Sequence, residues 1–351
     1  MQNRIKLMVI DDSAVYRSWL IGNLEKDPRF EIVGYAVNAF DAKNKIPVLK
    51  PDVLTLDIEM PGMSGLDFLK EYLPSHPIPV ILVSSLNVRV FDALAAGAVD
   101  FVRKPDMDSH VLKEAFLSML MAKLTAAAAS PVRIPPAAPA SPPSVKMPAL
   151  RTSLSTKLAA CRDMVIAIGA STGGTEAILE VLRQFPENMP GVVITQHMPA
   201  GFTAMYAERL NRLCKMEVRE AKSGDRLRPG LALLAPGGLQ MKVVRMGNGY
   251  AVNCVHGEKV NGHCPSVDVL FDTVSSVVRN KAMGILLTGM GADGAAGLLR
   301  MRKNGAYTIG QDRDTCVVYG MPMEAYKIGA VCQQSPLSSI PQLVINKLTQ
   351  L

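Results

Sequence analysis

The sequence predicts two α/β domains joined by a linker, each built on a parallel sheet, the second doubly wound and carrying an inserted antiparallel hairpin. Three observations lead there. Short apolar runs alternate with amphipathic stretches in both halves of the chain, the pattern of strand–helix repeats. The stretch from Thr125 to Lys157 is rich in Ala, Pro and Ser and has no periodic apolar face. Between His197 and Ser266 the alternation gives way to short strand-like runs with Gly and Asn turns, as antiparallel hairpins require. A chain of 351 residues suffices for two buried cores.

Taken in order, KLMVI, FEIVGYA, VLTLD, PVILVSS and DFVRK read as five strands with helical stretches between them, giving a first domain over 1–124. Residues 125–157 cannot bury enough surface to offset the entropy of ordering them and read as a flexible or semi-extended linker. The second domain, 158–351, starts with MVIAIGA and GVVITQH and resumes with AMGILLTG and AYTIGQ. Between them, GLALLAPGG, LQMKVVR and GNGYAVNCV form the hairpin insertion, with Asn248-Gly249 as a turn.

Composition narrows the function classes. Hydrophobic content of 48% and charged content of 20% fit a soluble globular protein. No apolar run approaches the roughly 20 residues a membrane span needs, so no membrane insertion is expected. The opening IKLMVIDD has none of the parts of a signal peptide, which points to the cytoplasm. Six scattered cysteines without a C-x-x-C pair read as reduced thiols. Cys254, His256, His263 and Cys264 lie close in sequence, but their spacing matches no trusted metal pattern. The net charge of +7 is mild, and with no basic run interleaved with aromatics and no helix-turn-helix, no nucleic-acid partner is expected.

In the first half, Asp11 and Asp12 end the first strand, Asp57 the third, Ser84 the fourth and Lys104 the fifth. In a parallel sheet these carboxyl ends share one edge. Three carboxylates there repel one another unless a cation intervenes; Mg²⁺ suits hard oxygen ligands, and a lysine with a hydroxyl would hold an oxyanion. Solvated turn acids are the plainer explanation for any one of these groups, but not for a set in register on separate strands. With MPGMSGLDFL following Asp57, residues 1–120 resemble the receiver domains of two-component response regulators. The resemblance implies a flavodoxin-like fold, Asp57 as phospho-acceptor, Asp11 and Asp12 with Asp57 as Mg²⁺ ligands, and Ser84, Phe101 and Lys104 as the phosphate-sensing switch. It also implies a cis Lys104–Pro105 bond and a histidine kinase as phosphodonor.

In the second half, MVIAIGASTGG sets Ser171 just past a strand, at a small-residue turn opening a helix. Taken alone, Ser171 reads as a helix N-cap. His197 ends the next strand and Asp293 follows a third, so a nucleophile, a base and an orienting acid fall at three strand ends of one sheet. A rival reading exists: Gly289-x-Gly291-x-x-Gly294 with Asp312 beyond it fits a dinucleotide fingerprint and a nicotinamide-dependent oxidoreductase. Asp293 inside that loop speaks against a pyrophosphate.

IGASTGGTEAI, QHMP, LAPGG, PSVDVLF and LLTGMGADGAAGL in combination resemble the protein-glutamate methylesterase domain of bacterial chemotaxis. With the receiver in front, the whole chain resembles the CheB family of response-regulator methylesterases. The resemblance implies a Ser171–His197–Asp293 triad and an oxyanion hole made by the backbone N–H groups of Thr172 and Met290, with no cofactor for the esterase. It implies phosphorylation-activated hydrolysis of glutamate methyl esters, and deamidation of glutamines, on methyl-accepting chemotaxis receptors. A non-catalytic docking regulator with a vestigial triad would carry the same motifs. A receiver with a DNA-binding output would need a recognition helix and a basic cluster, and the sequence shows neither.

Overall fold

The structure, a computed structural model, describes residues 4–85, 89–130, 158 and 160–350. It divides into two compact units, Met1–Ala140 and Ser141–Leu351. Residues 131–157 of the expected linker lie outside the described residues.

In the first unit the five apolar runs form β1 (Ile5–Ile10), β2 (Phe30–Ala36), β3 (Val53–Leu56), β4 (Val80–Ser84) and β5 (Asp100–Arg103). They make one sheet in the order β2-β1-β3-β4-β5, every pairing parallel. That is the flavodoxin-like order. Central β3 is buried along its whole length, as a parallel strand covered by helices on both faces must be. The helices are α1 (Ala14–Leu24), α2 (Ala39–Leu49), α3 (Gly65–Tyr72), α4 (Arg89–Ala95) and α5 (His110–Ala128). Side chains of Ser13, Asn38, Ser64 and Ser109 cap α1, α2, α3 and α5 by accepting a backbone N–H of the first turn. Helix α5 runs past the expected start of the linker at Thr125, because Ala126–Ala128 have the highest intrinsic helix propensity.

The second unit holds a seven-stranded parallel sheet in the order β14-β13-β12-β6-β7-β9-β8. Its strands are β6 (Val165–Ala170), β7 (Gly191–Gln196), β8 (Glu217–Glu220), β9 (Leu231–Leu234), β12 (Ala282–Leu286), β13 (Tyr307–Gln311) and β14 (Gln333–Ser335). Helices α6 (Gly174–Leu182), α7 (Phe202–Leu213), α8 (Val267–Val277), α9 (Ala295–Lys303), α10 (Met321–Lys327) and α11 (Ile340–Gln350) connect or follow them. The hairpin of β10 (Gln240–Met246) and β11 (Gly249–Val255) is antiparallel and separate. Its Val243 and Val252 join one core with Val267, Leu270, Phe271 and Val274 of α8 and with Val165 and Leu286 of the sheet.

Three further expectations change. GLALL belongs to the main sheet, with β9 parallel to both β7 and β8, so the antiparallel insertion is only β10–β11. The hairpin turn is Gly247–Asn248, one residue earlier than expected: Met246 pairs with Gly249, and the left-handed φ of 59° falls on Gly247. A glycine in the first central position is the chemistry of a II′ turn. Finally, the cis peptide among the described residues is Cys264–Pro265, and Lys104–Pro105 keeps the trans form that X–Pro bonds prefer by default.

From β6 the chain crosses to β7 on one side; from β12 it crosses to β13 on the other. Neighbouring β6 and β12 therefore flank the crevice where ligands of open α/β sheets bind.

Candidate active site

Ser171 follows β6, His197 follows β7, and Asp293 lies in the loop after β12, so three adjacent strands bring them to one sheet edge. Asp293 is 2% exposed. Its Oδ2 accepts from His197 Nε2 at 2.8 Å and from the Val267 N–H at 2.7 Å. Its Oδ1 accepts from Ser266 Oγ at 2.7 Å, Asn261 Nδ2 at 2.9 Å and the Asp268 N–H at 3.2 Å. The carboxylate thus sits on the N-terminus of α8, where free N–H groups and the helix dipole favour negative charge. Burial works against its ionisation, but the hydrogen bond and charge of His197, with Asn261 and Ser266, prevail and hold the carboxyl well below the usual carboxylate range.

The His197 side chain is 7% exposed. Its Nε2 faces the acid, while Nδ1 is buried without a hydrogen-bond partner among the described residues. The two nitrogens are therefore used in the opposite sense to the serine-protease template, where Nδ1 faces the acid. Ser171 is 8% exposed beside this edge. Its own N–H donates to Thr288 O at 3.0 Å, and its carbonyl accepts from the Gly174 N–H at 2.7 Å and from Gln196 Nε2 at 2.9 Å. The Thr288 hydroxyl donates to Thr172 O at 3.0 Å and accepts from the Val318 N–H at 2.9 Å. One threonine thereby ties the Ser171 turn to the loop that leads to Met290.

The glycine pattern serves this packing. A Cβ on Gly289 would lie 2.7 Å from Ser171 Cβ, so only glycine lets the two loops approach this closely. Gly294 starts α9 in the left-handed region at φ 88° and abuts Val267. Asp312, the residue a ribose would need, spends its carboxylate on the backbone N–H and hydroxyl of Thr315. The nicotinamide reading is not supported.

Several residues here escaped the sequence reading. Asn261, Ser266 and Asp268 support Asp293, and Gln196 braces Ser171. His263, weighed only as a metal ligand with Cys254, His256 and Cys264, instead stacks on His197 with ring centroids 3.6 Å apart and planes within 10°. Those four form no ligand cluster among the described residues. The one signal that could have found this loop is the dipeptide Asn261-Gly262, a hairpin-turn signature.

In the first unit, single ligand atoms of Asp11, Asp12 and Asp57 lie within 4.8 Å of one another, a spacing that fits one divalent ion. Lys104 Nζ bridges Asp11 Oδ2 at 2.8 Å and Asp57 Oδ2 at 2.5 Å. Burial pushes the Asp57 carboxyl above its ordinary value; Lys104 opposes this and Asp11 adds to it. Burial also works against the Lys104 ammonium, but its bonds to the two acids raise it. The buried Ser84 hydroxyl has no partner among the described residues. Phe101 is 4% exposed and packs edge-on against Phe91. Tyr16, also missed, lies under Lys104 with its ring centroid 4.7 Å from Nζ.

Residues 166–344 match the CheB methylesterase family and residues 7–116 the response regulator receiver domain. A protein-glutamate methylesterase/protein-glutamine glutaminase 2 of Syntrophomonas wolfei is 49% identical over 353 residues, covering 99% of both chains. The chain belongs to the CheB methylesterase family. A second CheB-type relative, the protein-glutamate methylesterase/protein-glutamine glutaminase of Syntrophotalea carbinolica, is 49% identical over 100% of this chain and 99% of its own. Among solved structures, the Thermotoga maritima CheB methylesterase catalytic domain superposes with a TM-score of 0.52 at 31% identity, covering 52% of this chain and 98% of that one.

Proposed function

We propose that this protein hydrolyses glutamate methyl esters, and deamidates glutamines, on the methyl-accepting receptors of a chemosensory system, and that phosphorylation of Asp57 activates it. The observation that carries the reading is the buried Asp293–His197 pair, with the imidazole's second nitrogen unbonded among the described residues, at the sheet edge that also bears Ser171. His197 Nδ1 takes the Ser171 hydroxyl proton as Oγ attacks the ester carbonyl carbon. The N–H groups of Thr172 and Met290 stabilise the oxyanion of the tetrahedral intermediate. Collapse expels methanol, or ammonia from a glutamine, with the proton held on His197. Water then attacks the acyl-enzyme, its proton passes to His197, and a free carboxylate leaves as Ser171 is restored.

In the receiver unit, Asp11, Asp12 and Asp57 would hold Mg²⁺, which when bound neutralises charge as a phosphoryl group reaches Asp57. A chemotaxis histidine kinase is the phosphodonor of this reading. Lys104 pairs with the phosphoryl oxygens, Ser84 supplies its hydroxyl, and Phe101 reports the change to the surface. Substituting Ser171→Ala tests the chemistry: methanol release from methylated receptor membranes and ammonia release from receptor glutamines both fall by about 10³-fold or more. Release of either product at the wild-type rate by a folded Ser171→Ala chain contradicts the assignment.

A further inference from the structure

Val260, Asn261, Gly262 and His263 form a tight two-residue turn. Val260 and His263 exchange both backbone hydrogen bonds at 3.0 Å, and the two central residues sit in the left-handed region, at φ 54° for Asn261 and 83° for Gly262. That is the geometry an Asn-Gly hairpin turn is made for. Gln240 anchors it, its Nε2 donating to Glu258 O at 3.0 Å and His263 O at 3.2 Å. The turn reaches both members of the acid–imidazole pair. The Asn261 amide nitrogen donates to Asp268 Oδ2 at 2.7 Å and to Asp293 Oδ1 at 2.9 Å. The His263 ring lies face-on over the His197 ring, 3.6 Å between centroids.

His197 needs such a support. Its side chain has one hydrogen bond among the described residues, from Nε2 to Asp293, and Nδ1 has none. One bond fixes a point of the ring but not its plane, and rotation about that bond would swing Nδ1 off its target. A flat partner on the ring face removes that freedom. It also covers the face of an imidazole that becomes cationic during turnover, where an aromatic neighbour is favourable. The two acids bridged by Asn261 would otherwise face each other with one donor fewer.

We propose that the Val260–His263 turn is a positioning clamp for the catalytic pair, His263 holding the plane of His197 by stacking and Asn261 locking Asp293 to Asp268. The proposal rests on the reading of His197 and Asp293 as base and partner acid. His263 is a positioning residue: its ring, not its ionisation, does the work.

The test is steady-state methanol release from methylated receptor membranes by the full chain, with Mg²⁺ and a small phosphodonor, with far-UV circular dichroism and a thermal melt for each variant. His263→Ala lowers kcat about 3- to 10-fold, the worth of one aromatic pair, with KM unchanged. His263→Phe, which keeps a ring but cannot titrate, restores kcat to within about twofold of wild type. Asn261→Gly accepts the left-handed backbone and so keeps the turn, yet loses the amide; kcat falls with KM unchanged. The clamp is overturned by an unchanged kcat in His263→Ala, by a folded His263→Phe as slow as the alanine variant, or by a rise in KM alone, which would make His263 a substrate contact. An unchanged kcat in Asn261→Gly overturns the Asn261 half. If wild type shows no release that depends on Ser171, the reading of the site fails first and the clamp with it; Ser171-dependent release with indifferent turn variants sinks the clamp alone.

Discussion

Asp293 takes five hydrogen bonds in a place from which solvent is nearly excluded. Its folded carboxyl titrates below the 3.8 of an unperturbed aspartate, so an unfolded chain binds the proton first as pH falls. The stabilisation from this group is therefore complete above about pH 5 and drains away below about pH 4. Asp57 and Asp268 shift upward on burial and act in the opposite sense, so a difference measurement isolates Asp293. The gap between the urea midpoints of wild type and Asp293→Asn should be constant above about pH 5 and narrow as pH falls below about 4; a gap that does not change with pH would contradict the assignment. The same substitution costs about 10³–10⁴ in kcat, by misorienting the imidazole. Ser171, His197 and Asp293 were legible because each ends or follows an apolar run whose carboxyl edge is known in a parallel sheet. Asn261 and His263 were not, because their value lies in contacts with residues brought up from distant strands, which local pattern does not encode.

Strands and turns set how closely these side chains meet. Gly289 has an ordinary backbone conformation but no room for a methyl group, which would meet Ser171 Cβ and Met321 Sδ. Gly249, in the hairpin, has nothing among the described residues within 4 Å of such a group. Gly289→Ala should cost about 10²-fold in methanol release by displacing the Ser171 turn, with Gly249→Ala as the near-neutral control. Equal activity of the two variants would mean that the approach of these loops is unimportant. The buried central strands were readable as continuous apolar runs. Strands β8 (EVRE) and β14 (QQS) were not, since polar edge strands carry no periodicity that separates them from loop. LALL was readable as a strand but not as a parallel one, because its partners β7 and β8 are chosen by topology rather than by the flanking glycines.

Two units, each with its own sheet and its own reactive edge, make a molecule whose parts were separable in the sequence from the start. The receiver pocket gathers the buried Asp57, two further acids, a bridging lysine and a buried hydroxyl without a partner among the described residues. The second unit brings Ser171, His197 and Asp293 to one sheet edge. One chain that holds both implies that phosphorylation governs the esterase, and one assay tests this: methanol release from methylated receptor membranes by wild type, Asp57→Asn and Ser171→Ala, each with and without a small phosphodonor and Mg²⁺. Wild-type release should rise with phosphodonor, Asp57→Asn should stay at the basal rate in both conditions, and Ser171→Ala should fall by about 10³-fold or more in either. A wild-type rate indifferent to phosphodonor, or a rise that survives Asp57→Asn, would contradict the coupling; release that survives Ser171→Ala would contradict the chemistry.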